Sequence, residues 1–184
     1  PIGGESLVPG DSEYIRWDTH QSGSISIQYS SNGGTNWNTI ASNVQASNRY
    51  YIWNVPNDVT ANALIRINGS NNTSQSTVPF TIIDVPNNFS VYWPCPDSIN
   101  VSWNNVNGAT SYEVSMLGQR YMDSIFTTSN TNVWIINPDP SITNSWFSVK
   151  ANINNGKGRR AIAENAQALN AQCSGYGCTC LLYT

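Results

Sequence analysis

SISIQYSSNGGTNW, Ser24 to Trp37, alternates apolar and polar residues as far as Ser30 and then breaks on Asn32-Gly33-Gly34. Alternation at period two puts Ile25, Ile27 and Tyr29 on one face of a strand and their polar neighbours on the other. Asn and Gly accept the positive φ that a tight hairpin needs, so the stretch reads as strand, turn, strand. Just upstream, Tyr14-Ile15-Arg16-Trp17 alternates in the same way, with Ile15 and Trp17 turned inward.

The pattern continues outward. Further strands are expected in the first half at Tyr14–Asp18, Trp37–Ala41, Tyr50–Val55, Ala63–Asn68 and Thr77–Asp84. A short Pro/Asn stretch, Asp84-Val-Pro-Asn-Asn88, then marks a linker over 85–88. Beyond it strands are expected at Phe89–Trp93, Ile99–Asn104, Ser111–Leu117, Tyr121–Thr127, Asn132–Ile136, Trp146–Asn152 and Ala161–Ala168. Only Arg160–Ala171 carries helical propensity, and it lacks an amphipathic stripe. The halves echo each other: YIRWDTHQSGSISIQYS parallels INVSWNNVNGATSYEVSM, each a strand ending in Trp, a Gly-containing loop and a Tyr-bearing strand. Trp17 and Trp103 are thereby expected as core plugs. The fold class is all-β, two consecutive β-sandwich domains at 1–84 and 89–169, followed by a Cys-rich tail at 170–184.

Composition narrows function. The chain has 184 residues, 10% of them charged, with a net charge of -3, against roughly 25% charged in an ordinary soluble domain. Phosphate neutralisation needs clustered Lys and Arg, so nucleic acid is not an expected partner. The single basic cluster, Lys157, Arg159 and Arg160 in GKGRR, reads as a solvated turn. No apolar run reaches the length of a membrane span and no signal peptide is seen, so membrane insertion is not expected. A chain opening at Pro1 reads as a processed or excised fragment.

Two further resemblances, and one that fails, bear on the reading. Ser30-x-Asn32-x-Gly34-x-x-Trp37 approaches the Asp-box of sialidase propellers. The motif occurs once, Asn32 stands where Asp would, and a propeller needs several blades, so the stretch reads as a turn. Gly3-Gly4-Glu5, Pro9-Gly10, Ile15-Arg16-Trp17, Ile27-Gln28-Tyr29-Ser30, Gly33-Gly34, Trp37, Tyr51-Ile52-Trp53-Asn54-Val55-Pro56 and Ala63 to Ile67 together resemble a bacterial immunoglobulin-like module of Ser/Thr-rich surface proteins. Leu7 stands where that module usually carries Trp. From Trp103, W-x5-A-x2-Y-x-V with Gly108 resembles fibronectin type III domains over roughly 89–169. VYWPCPDSINVSW and the following MLG-x-x-YM are similar to domains of large secreted Bacteroidetes proteins, many exported by the type IX route. The resemblance implies a secreted or cell-surface location and motif residues that are structural.

Catalytic parts are scarce. The one histidine, His20, sits in the loop DTHQSG without a nucleophile elbow, and nothing resembles H-E-x-x-H. Asp18, Asp58, Asp84, Asp97, Glu113, Asp123 and Asp139 read as strand-end and turn residues, so no catalytic residue is assigned and no metal ligand set emerges. Calcium stays open at the loops around Asp97 and Asp139, although D-x-D-x-D spacing is missing. Cys95, Cys173, Cys178 and Cys180 suit two disulfides of undetermined connectivity; C-x4-C-x-C lacks the paired knuckles of a zinc site. Seven Trp exceed what two sandwich cores usually need. Trp37, Trp93, Trp134 and Trp146 are candidates for stacking on sugars, although core packing also accounts for them. The reading is a non-enzymatic spacer or adhesion module of a secreted or cell-surface multidomain protein, with other domains of that protein as partners. A carbohydrate-binding module facing a polysaccharide, or an accessory region of a secreted protease, are the alternatives.

Overall fold

The computed structural model describes residues 1–18, 23–95, 98–136 and 146–166. The chain divides into two compact units. The first comprises Pro1–Val85 with the short stretches Asn107–Thr110 and Asn152–Arg159; the second comprises Pro86–Val106, Ser111–Ala151 and the residues from Arg160 on. Both are built from strands. Among the described residues the one helical element is a single 3-10 turn, Ala46–Asn48.

In the first unit the strands are β1 (Ser6–Leu7), β2 (Ser12–Arg16), β3 (Ser24–Ser30), β4 (Asn38–Gln45), β5 (Tyr50–Asn54), β6 (Thr60–Asn68), β7 (Thr73–Gln75) and β8 (Phe80–Ile82). One sheet runs β1-β8-β6-β3-β4, with β7 added to β6, and the other is the β2–β5 pair. Ile15 and Trp53 from the pair meet Ile27, Tyr29, Ala63, Ile65, Phe80 and Ile82 from the larger sheet in one core. Two sheets closing on a shared apolar layer make a sandwich. Burying each of these side chains contributes about 1.5–3 kcal/mol before entropy is counted. β1 is tied to β8 in parallel, Ser6 opposite Thr81 and Leu7 opposite Ile82.

The strands that follow are β9 (Ser90–Cys95), β10 (Ser98–Ser102), β11 (Ser111–Leu117), β12 (Met122–Thr128), β13 (Asn132–Ile136), β14 (Trp146–Ile153), β15 (Gly156–Arg160) and β16 (Glu164–Asn165). All belong to the second unit except the end of β14 from Asn152 and β15 as far as Arg159, which are grouped with the first. One sheet runs β13-β10-β9; the other runs β12-β11-β14-β15, with β16 on β14. Ile99 and Val101 from the first sheet and Tyr112, Val114, Phe147, Val149 and Ala151 from the second are all buried. This unit too is a sandwich, and the chain is all-β as its alternation predicts.

Four expectations are corrected. The GKGRR cluster is a strand, β15; the turn before it is Asn154-Asn155, where Asn154 takes φ 51° and reverses the chain out of β14. Of the strand expected at Ala161–Ala168, the described residues 161–166 form only β16, which pairs with the start of β14 at Trp146 and Phe147, and the last two residues lie outside the described ones. Of Thr77–Asp84 only Phe80–Ile82 is regular strand: Thr77 N–H donates to the Ile2 carbonyl and the Pro79 carbonyl accepts from the Gly4 N–H, but Pro79 has no N–H of its own to continue a ladder. Residues 160–166 form no helix.

The core plug of the first unit is Trp53, 5% exposed, with Tyr29 at a ring distance of 5.3 Å and Phe80 at 6.3 Å. Trp17, the residue that the internal echo singles out, lies past the end of β2, half-buried, with its indole N–H donating to the Ala46 carbonyl at 2.9 Å. Trp103 holds its expected place: 5% exposed and 5.3 Å from the Tyr112 ring.

Candidate functional site

The turn after β3 is closed by its own side chains. Ser30 Oγ accepts from the backbone N–H of Gly34 at 2.9 Å and of Asn32 at 3.3 Å. It donates to Asn32 Oδ1 at 3.0 Å, which also accepts the Asn36 N–H at 2.9 Å. Gly33 N–H donates to the Asn62 carbonyl at 2.8 Å and so ties the turn to β6. Gly34 takes φ 87°, and a Cβ there would lie 3.3 Å from the Trp37 ring. Turn, register and ring are one assembly whose polar atoms are spent on each other.

The four candidate tryptophans separate. Trp93 is 7% exposed and faces the core, so its ring offers no face to solution; the expectation for it is corrected. Trp37 is half-buried, and the Arg66 guanidinium covers one of its faces at 4.0 Å from the ring centroid while donating from Nε to Gln28 Oε1 at 2.6 Å. Trp134 and Trp146 are exposed, but on different sheets of the second unit, β13 and β14. They do not share a face.

Trp134 has a different companion. It stands opposite Asn100 on β10, and Asn100 stands opposite Tyr92 on β9. Residues directly opposite in an antiparallel ladder point to the same side. Ile99 and Val101 point inward, so Tyr92, Asn100 and Trp134 form a row across the outer face. Tyr92 is 54% exposed and Trp134 43%. With strands about 4.8 Å apart the two rings are separated by about 10 Å. Asn100 Nδ2 makes one long bond, 3.5 Å, to the Val133 carbonyl. The strands SVYWPC, SINVS and NVWII contain no charged residue.

Ionisable groups are arranged for structure. Glu113 is not a strand-end residue: it lies within β11 and pairs with Lys150 Nζ at 2.8 Å, the two side chains 13% and 10% exposed, with Arg160 Nη2 at 3.7 Å. A pair so little solvated must be retained whole, because a lone charge there is costly. Asp18 meets Arg49 at 3.4 Å in the open. Burial pushes the Tyr29 phenol well above its ordinary pKa, and the nearby Asp58 charge adds to this. A cavity of about 480 Å³ in the first unit is lined by Ile15, Trp17, Ile25, Ile65 and Ile67 together with Arg16 and Asp18. Among the described residues no cluster of His, Cys, Asp and Glu could hold a metal ion. No helix among them is long and apolar enough to cross a membrane. His20, Asp97, Asp139, Cys173, Cys178 and Cys180 lie outside the described residues, as does the side chain of Cys95, so the calcium and disulfide expectations fall there too.

No family model and no curated protein matches the chain. Among solved structures it is similar to a segment of two fibronectin type III domains from chicken tenascin, 16% identical over 86% of this chain and 93% of that one, with a TM-score of 0.49. It is also similar to the sixth such domain of human fibronectin type III domain containing protein 3, at 16% identity over 52% of this chain and 93% of that one, TM-score 0.43. A third likeness is to FN3tt, 19% identical over 47% of this chain and 97% of that one, TM-score 0.40. The class of this chain, all-β with sandwich units, rests on its own paired sheets and cores.

Proposed function

We propose that the chain is a non-catalytic spacer or adhesion module of a secreted or cell-surface multidomain protein. Its domains would be an immunoglobulin-like sandwich at 1–84 and a fibronectin type III-like sandwich at 89–169, joined by 85–88. The observation that carries this is the use of the motif residues. Ser30, Asn32, Gly34 and Trp37 close a turn, and Trp53 with Tyr29 and Trp103 with Tyr112 fill cores. The strands of the surface row at Tyr92 and Trp134 carry no carboxylate, histidine, lysine or arginine. The partners are other domains of the same protein.

Stretching the chain between two handles tests this reading. Two folded spacers of about 80 residues each should give two separate unfolding steps, each lengthening the tether by roughly 250 Å, from an extended reach of about 3.3–3.6 Å per residue less the folded span. A smooth extension without steps overturns the spacer role. A hydrolase or protease activity that purifies with the folded chain overturns the non-catalytic one.

A further inference from the structure

We infer that the outer face of the β13-β10-β9 sheet binds a neutral, extended polysaccharide, which would lie across the Tyr92 and Trp134 rings with Asn100 between them. This goes beyond the spacer reading and stands independently of it.

Register supplies the geometry. The pairs Trp134–Asn100 and Asn100–Tyr92 set an aromatic, an amide and an aromatic in one line across three strands. Their inward-facing neighbours Ile99, Val101 and Trp93 are buried, and this locks the sheet so that the rings face out. Rings about 10 Å apart match two strand spacings, a span comparable to a disaccharide in an extended chain. Sugars present axial C–H groups to an aromatic face, and their hydroxyls suit a carboxamide that both donates and accepts.

Charge selects the occupant. The three strands carry no Asp, Glu, Lys, Arg or His. A phosphate, a nucleic acid or an acidic polysaccharide would meet no cation there, whereas a neutral glycan needs none. A second copy of the chain is a poor fit. Three strands of five or six residues cover about 240 Å² at standard spacings, far below the roughly 800 Å² that each partner of a stable protein pair buries. An added peptide strand would take the sheet's edge and leave the rings unused.

The test uses the full chain in affinity electrophoresis through hydroxyethylcellulose, xylan or polygalacturonate, with titration calorimetry against cellohexaose and xylohexaose. Retardation by at least one of the two neutral β-1,4 polymers and none by polygalacturonate is expected. Trp134→Ala and Tyr92→Ala should each weaken binding by about tenfold or more, as loss of one stacked ring does. Trp134→Tyr should keep binding within about threefold, since it restores a ring. Tyr14→Ala, which removes an exposed ring of the first unit, should change nothing. The thermal midpoint of each variant, unchanged because these side chains are exposed, separates lost binding from lost folding. The proposal is overturned if the wild-type chain binds neither neutral polymer. It is also overturned if binding survives the Tyr92→Ala/Trp134→Ala pair, if it is abolished by Trp146→Ala instead, or if polygalacturonate binds as well.

Discussion

The two units solve one packing problem with different parts. Each presses a tryptophan against a tyrosine at 5.3 Å, with ring planes at 44° in the first unit and 59° in the second. In the second unit the pair is local: Trp103 follows β10, and Tyr112 comes early in the next strand, β11. In the first it joins β3 to β5 across the sandwich. The hydroxyls differ as well. Tyr112 accepts the Val106 N–H at 2.8 Å and donates to Asn105 Oδ1 at 3.0 Å, stitching the loop that precedes it. Tyr29 is instead surrounded by burial and by the Asp58 charge, which together disfavour its ionised form. An apolar plug can therefore be supplied by any strand that faces the core, whereas a loop stitched by a hydroxyl depends on sequence neighbours.

The sharpest way to break the comparison is Trp53→Ala. It should cost about 3–5 kcal/mol, with hydrogen exchange rising in peptides from β3, β5 and β6 and little in those from β10 and β11. Trp17→Ala, removing a half-buried ring and one hydrogen bond, should cost only about 1–2 kcal/mol; equal losses would restore Trp17 as the plug. Tyr112→Phe comes next. It leaves the buried Val106 N–H without its acceptor, a loss of about 1–3 kcal/mol in urea unfolding.

Asn32→Ala, next to the Tyr29 strand, should cost about 1 kcal/mol. Asn32→Asp should stay within about 0.5 kcal/mol of wild type, because both contacts of the Asn32 side chain use its oxygen as acceptor. The smallest effect is that of Tyr29→Phe, within about 0.5 kcal/mol at pH 7. Its signature is in pH. The folded phenol has a raised pKa, so the stability it contributes is complete below about pH 10, the unfolded value, and is lost as pH climbs further. Unfolding midpoints measured above pH 10 should fall less steeply in Tyr29→Phe than in wild type.

Legibility followed the strength of the local signal. Ser24–Ser30, Ser111–Leu117 and Asn132–Ile136 alternate between clear turn residues, and these strands have the limits that alternation gives them. β1 and β7 escaped because two or three residues hold too few alternations to register. Trp53 was overshadowed by the echo between halves, since an aligned Trp need not occupy an equivalent place in three dimensions. Tyr92 and Asn100 escaped for a related reason. In Val91-Tyr92-Trp93 the larger aromatic drew the surface assignment, yet alternation allows only one of the two to face out, and the core claimed Trp93. The Glu113–Lys150 pair was hidden because a carboxylate within a strand gives no sign of the cation that a strand distant in sequence brings to it.

The parallel pairing of β1 with β8 has a mechanical consequence. These are the first and last strands of their sheet in chain order, and they run in the same direction, so the two ends of Pro1–Val85 leave from opposite ends of the ladder. Tension applied along the chain then acts in shear. The bonds from Thr81 N–H to the Glu5 carbonyl and from Ile83 N–H to the Leu7 carbonyl lie across the line of pull and must give way together. A hairpin drawn open from its free ends would surrender such bonds one after another, as a zipper does. Two residues of strand are thus placed where they act as a clasp.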